Sequence, residues 1–227
     1  MDVTIKGNGS NSSAEAQVDR THGAVRVSSR PIEWAPSDVL GGHYGIATQT
    51  GLMAAGIASA AQIFQVRWAD PTKIFLLKKL VVQCSTCTGF AATALGAPLE
   101  LIVGHGSTAN GSGGTALAPS SLGNKTRKTM ATTGFASSGE IRIATTAALT
   151  AATGQTLEPA AFSNCAGADN RTLVSTPPMI LYDQTSNGDH PLVLDNGDTL
   201  AIRTNSPAAT GTWTAYVSMS WVEAVSY

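Results

Sequence analysis

The sequence is poor in charge: Asp, Glu, Lys and Arg make up only 13% of its 227 residues, about half the ~25% usual in soluble domains. Ala, Thr, Ser and Gly stand where a lone domain would carry Lys and Glu. Such a surface is covered by another subunit at little desolvation cost, because few ions lose water. The formal net charge is -1, from 14 Lys and Arg against 15 Asp and Glu, with no basic stripe. That balance excludes a general attraction for phosphate backbones, so no nucleic acid partner is expected. No stretch is apolar for the ~20 residues of a bilayer-crossing helix, so no membrane partner is expected either. The first residues, MDVTIKGNGSNSSAEAQ, carry neither a basic n-region nor an apolar h-region, and the expectation is a protein made in a cytosol.

Cysteine is scarce too. Cys84, Cys87 and Cys165 cannot all pair within the chain and are expected to be reduced thiols. Cys84 and Cys87 have CxxC spacing, but redox sites of that kind sit at a helix N-terminus and zinc needs four ligands. Here the pair follows an apolar strand, whose continuation would send positions three apart to opposite faces. Small core or strand-end residues are the better reading. His22, His43, His105 and His190 are scattered and form no HxH or HExxH pattern. No GxSxG nucleophile elbow occurs, and the glycines of 104–114 are followed by no GK[ST] phosphate cradle. Asp183, Asn187, Asp195 and Asp198 could cluster oxygens for calcium, yet their spacing is not that of an EF-hand loop and Asn-Gly-Asp is ordinary turn chemistry. The sequence therefore points to no enzyme, no catalytic residue, no cofactor and no metal site.

What is present is β-punctuation. Residues 1–42 hold apolar side chains too sparse to close a core and read as an extended N-terminal arm, reaching on the order of 130 Å at ~3.3 Å per residue. A polar arm becomes ordered by lying on a neighbouring subunit or on its own domain, and the neighbour is favoured. From 43 to 227 short alternating runs are separated by Gly, Asn, Asp and Pro, as in an all-β sandwich domain; a chain of this size buries roughly 70% of its extended surface. Gln62 to Trp68 places Phe64, Val66 and Trp68 on one face and Gln65 and Arg67 on the other. Ile74 to Gln83 is apolar throughout except for Lys78 and Lys79, which predicts a strand covered on most of both faces. Leu99 to Val103 is another short strand.

At the C-terminus Trp213, Ala215, Val217, Met219 and Trp221 alternate with Thr212, Thr214, Tyr216, Ser218 and Ser220. The tryptophan stripe reads as a core face, with a sugar-stacking platform as the alternative. Pro191 to Leu194 and Thr199 to Arg203 flank Asp195-Asn196-Gly197-Asp198 and are predicted to pair across that turn, making a meander with the last strand. The Ala-rich segments 52–61 and 144–152 are predicted to be strand and loop, since Gly51, Gly56, Thr145, Thr146 and Gly154 oppose a helix. Residues 104–127 are expected to form a long surface excursion that meets partners.

Several segments together resemble a family of small virion proteins of tailed bacteriophages: FQVRWAD (64–70), FLLKKLVVQ (75–83), 126–159, HPLVLDNGDTLAIRTN (190–205) and ATGTWTAYVSMSWVE (209–223). The resemblance covers most of the chain after residue 62, carries no chemical signature and leaves the arm outside it. It implies a jelly-roll-like antiparallel β-sandwich working in the virion as a capsid decoration or cement protein, bound to the major capsid protein or other virion subunits. The expected state is a homo-oligomer, a dimer or trimer. A tail- or fibre-associated module binding a receptor or carbohydrate is the alternative.

Overall fold

The computed structural model describes residues 42–54, 57–58, 60–86, 99–119, 133–136, 139–158, 162–166, 178–185, 191–204 and 211–224. The expected arm, 1–42, lies outside these residues apart from Gly42, as do Cys87, His22, His190, Asn187 and the side chain of Cys165.

The chain is an all-β sandwich of two antiparallel sheets. In the first sheet β1 (Gly42–Gln49) pairs with β13 (Thr212–Ala224), β13 with β4 (Ile74–Thr86), and β4 with β10 (Met179–Asp183). The short β2 (Met53–Ala54) continues the β1 side of β13, and β11 (Leu192–Leu194) the β10 side of β4. The second sheet runs β6 (Thr115–Leu117), β7 (Glu140–Ile143), β3 (Gln62–Arg67), β12 (Thr199–Thr204), β5 (Leu99–His105), then β8 (Thr156–Leu157), with β9 (Phe162–Ala166) also on β5.

The spine is the β4–β13 pair, 13 residues on each side. The tryptophan stripe of β13 faces inward, as period two requires: Trp213, Ala215, Val217, Met219 and Trp221 are all buried. β4 must hold Lys78 and Lys79 side by side, and strict alternation would drive one of them into the core. An extra residue in β4 resolves the conflict, since Ser220 faces Lys79 while the next residue, Trp221, faces Leu77. The bulge turns both lysines from the interior, with Leu77 and Phe75 resuming the buried face on one side and Leu80 and Val82 on the other.

The second sheet answers with Phe64 and Val66 from β3 and Trp68 directly after it, Leu101 and Val103 from β5, and Leu200 and Ile202 from β12, all in the same core. At one end the core is aromatic. The Phe135 ring stands edge-on to Trp68 at 4.9 Å and to Trp221 at 5.6 Å, and Trp221 stacks on Phe75 and Tyr44. Phe135 comes from a 3-10 turn, Gly134–Ala136, that closes this end. Gly134 is required there, because a Cβ would stand 2.5 Å from the Trp68 ring.

Two sequence expectations are corrected. The segments around Asp195-Asn196-Gly197-Asp198 are not a hairpin and make no meander: β11 pairs with β4 in the first sheet, whereas β12 lies between β3 and β5 in the second. The turn crosses between the sheets. Gly197 does take a positive φ of 90°, but the turn is held by the β3–β4 connection through Trp68 N–H to Asp198 O (2.9 Å) and Gly197 N–H to Trp68 O (2.9 Å). Alternation marks a strand's two faces and does not choose its neighbour. The excursion after Gly104 lies on the surface as expected but is not loop throughout: Thr115–Leu117 form β6, and residues 106–114 bridge to 149–154 through Ala109 with Thr153 and Ser112 with Thr150, while residues 120–127 lie outside the description. The Ala-rich segments form no helix among the described residues.

Candidate functional site

The residues singled out for chemistry take up structural roles. Cys84 is in the core, and burial pushes its thiol up to about 12, far from the thiolate that redox or metal chemistry uses. Trp213 and Trp221 are buried at 3% and 0% exposure, so the stripe is no sugar platform. Asp183 accepts from Thr185 (Oγ1 2.6 Å) and pairs with Lys79 (3.2 Å) on the first sheet. Those Thr185 hydrogen bonds, with Lys79, hold its carboxyl below the usual range although desolvation opposes them. Asp195 accepts from the Asn196 N–H and Asp198 from the Asp195 N–H, as turn carboxylates do. Among the described residues no group of three His, Cys, Asp or Glu could hold a metal ion.

Two polar clusters escaped sequence reasoning because their members are far apart in the chain. In the first, His105 Nδ1 lies 2.8 Å from Asp198 and Nε2 lies 2.8 Å from Glu158. With carboxylates at both nitrogens the ring donates twice as imidazolium. The Asp198 bond, then the Glu158 bond, raises its pKa. Ser107, two residues along, is not bonded to this ring: its hydroxyl donates to Gly197 O (2.6 Å) and accepts from Arg67 Nε (2.9 Å). The three residue types of a hydrolase triad meet here without its hydrogen-bond relay.

In the second cluster the Glu223 carboxylate is buried under the aromatic end. It accepts from Thr133 Oγ1, Gly134 N–H (2.9 Å) and Trp221 Nε1 (3.1 Å), with Lys73 at 3.5 Å. Desolvation raises its pKa against the pull of these donors. The cluster fastens the Phe135 turn to β13 and presents no open site.

The surface that remains for function is the outer face of the first sheet. The ladder register lays its outward residues in rows. Gln49, Tyr216 and Gln83 form one row, Ala47, Ser218, Val81 and Ile180 the next, and Gly45, Ser220 and Lys79 the third. Ala47, Gln49 and Ser218 are exposed, and so are two large side chains, Tyr216 at 43% and Ile180 at 48%. The charges on these rows, Lys79 and the neighbouring Asp183, are closed on each other. Large apolar groups standing exposed among small side chains form an interaction surface more readily than a charged, solvated face does. The signal was present in the sequence, in the small and hydroxyl residues alternating with the tryptophan stripe, but parity alone does not say whether that face is covered.

Comparison with known proteins adds no relative: no family model, no curated protein and no solved structure matches the chain.

Proposed function

We propose that this protein is a non-catalytic structural protein that packs against other subunits, and that its setting is a virus particle, where it serves as a capsid decoration or cement protein on the lattice of the major capsid protein. The observation that supports the assembly role is the outer face of the first sheet, where exposed Tyr216 and Ile180 stand among Ala, Ser and Gly and Lys79 is paired with Asp183. Covering that pair costs less than covering lone ions.

The connectivity supports the setting. The strand orders β1-β13-β4-β10 in one sheet and β3-β12-β5, with β9 beside β5, in the other support reading the sandwich as jelly-roll-like, with β6 and β7 as an insertion. Viral shells use this architecture repeatedly, although other functions use it too. The resemblance to small phage virion proteins points the same way. No observation favours the tail or fibre receptor module, whose aromatic stripe is core.

Density-gradient sedimentation of particles from the producing cells tests the reading. The chain is expected to travel with assembled particles at a fixed copy number and to stay attached at moderate salt. Recovery only among free proteins at the top of the gradient overturns it. A variant lacking residues 1–40 tests the arm: attachment should weaken while the sandwich keeps its melting transition.

A further inference from the structure

We infer that His105 is a pH-operated latch on the edge of the second sheet: as imidazolium it clasps Glu158 and holds the short strand β8 down on β5, and on losing a proton it keeps Asp198 and lets Glu158 and the end of β8 go. The latch acts within one chain and does not depend on the assembly role proposed above.

The ring stands between two carboxylates from different parts of the fold, with Nδ1 2.8 Å from Asp198 Oδ1 and Nε2 2.8 Å from Glu158 Oε1. An imidazolium carries two N–H groups and satisfies both, whereas a neutral imidazole carries one. One carboxylate then faces a bare ring nitrogen, lone pair against lone pair. The two do not compete equally for the remaining proton. Asp198 is anchored, since its Oδ2 accepts from the Asp195 N–H at 2.9 Å and its own N–H donates to Asp195 O at 2.9 Å. Its side chain is 16% exposed, against 48% for Glu158. The anchored, less solvated carboxylate keeps the Nδ1–H, and the exposed one turns to water.

What Glu158 fastens is lightly held. β8 is two exposed residues, Thr156 and Leu157, set opposite His105 and Gly104. One end is pinned by Thr199, whose hydroxyl donates to Gln155 Oε1 at 2.7 Å, and the other by the Glu158 N–H to Val103 O (2.8 Å) together with the clasp. An element that buries so little opens locally at low cost, so losing one charge-assisted bond shifts its population. The other charged groups on the elements packed here are engaged elsewhere: Arg67 of β3 with Ser107 and Asn110, Glu100 of β5 with Arg203 of β12, and Asp195 with the Asn196 N–H. Asp198 and then Glu158 raise the ring's pKa above its ordinary 6.5, so the latch is shut below that value and opens as pH rises through the folded one.

Amide hydrogen exchange of the full chain, followed across the histidine range and corrected for the intrinsic rate at each pH, tests the latch. Protection of the Glu158 amide is expected to fall about two- to fivefold as the ring titrates, the range open to a partly exposed ion pair, while the Gly197 and Asp198 amides keep theirs. Nitrogen NMR of the ring above its midpoint should show the Nδ1–H tautomer, the reverse of the Nε2–H form that free histidine favours. Glu158→Gln, whose amide can accept from or donate to Nε2 in either state, should abolish the step. Flat protection at Glu158, a loss shared by Gly197 and Asp198, an Nε2–H ring or a step that survives in Glu158→Gln each overturns the inference. The exchange and ring measurements use the unaltered chain, so they decide even where the variant folds poorly.

Discussion

On the outer side of the second sheet, Gln65, Glu100, Ile102 and Ala201 are buried, whereas on the outer side of the first, Ala47, Gln49, Tyr216, Ser218 and Ile180 stand in solvent. Both sheets face the same core, so the difference lies in what is laid over their backs. The second sheet carries a polar layer tied to loop 106–114. Arg67 reaches Ser107 Oγ (2.9 Å), Ser107 O (3.2 Å) and Asn110 Oδ1 (3.1 Å), and Gly111 lies so close to Gln65 that a Cβ would stand 2.1 Å from its Oε1. Arg203 pairs with the buried Glu100 on the same side. Buried polar groups need partners, and this back is full of satisfied ones. The first sheet offers small side chains and the Lys79–Asp183 ion pair over the same rows, and its outward residues are buried toward the Leu76 and Val222 end. Among the described residues, one back carries a polar layer and the other keeps exposed side chains.

The contrast can be broken most forcefully at Arg203. Arg203→Ala takes the guanidinium from the buried Glu100, and removing one partner of a buried ion pair costs about 3 kcal/mol; urea unfolding should show the loss at neutral pH, and a loss below about 1 kcal/mol would mean that this back is wetter than described. Gly111→Ala comes next, since the added methyl must push loop 106–114 off Gln65 and Thr150, at a cost of about 1–3 kcal/mol. Hydrogen exchange should quicken at Ser112 and Thr150, which exchange backbone hydrogen bonds of 3.1 and 2.9 Å, and stay unchanged along β13.

A smaller effect is expected at His105, whose side chain is 46% exposed. Its folded pKa is raised above the ordinary 6.5 by Asp198 and Glu158. The stabilisation is therefore fully present below about pH 6.5 and is lost as pH rises through the folded value. His105→Gln should remove that slope from the melting temperature on the alkaline side, and NMR titration of the ring should show a midpoint above 6.5. The smallest change belongs to the outer face of the first sheet. Tyr216→Ser should lower the melting stability by no more than about 0.5 kcal/mol, and a large loss would show that Tyr216 supports the sheet itself.

Much of the sandwich was legible along the chain. Phe64, Val66 and Trp68 alternate with Gln65 and Arg67, and the stripe from Trp213 to Trp221 was a core face before any neighbour was known. The turn at Gly197 was legible as a turn, but its crossing between sheets was not, because Trp68, which ties it down, is 129 positions away. Glu223 is a buried anchor that no local pattern marks, since Thr133 and Gly134 reach it from 90 and 89 residues away. The excursion read as a surface loop because Gly, Ser and Asn are typical of surfaces; that its backbone also satisfies a polar layer on its own sheet was not legible, because Arg67 and Gln65 lie about 40 residues away.

The sequence by itself determined the strands, their inward and outward faces and the low charge of the surface, because period two and composition are local properties that any extended chain expresses. Only the tertiary structure decided which strands became neighbours, where Glu223 and His105 found partners and which back received the polar layer of loop 106–114. Those outcomes depend on burial and hydrogen bonding between residues distant in the chain, and side-chain parity is blind to what lies above it.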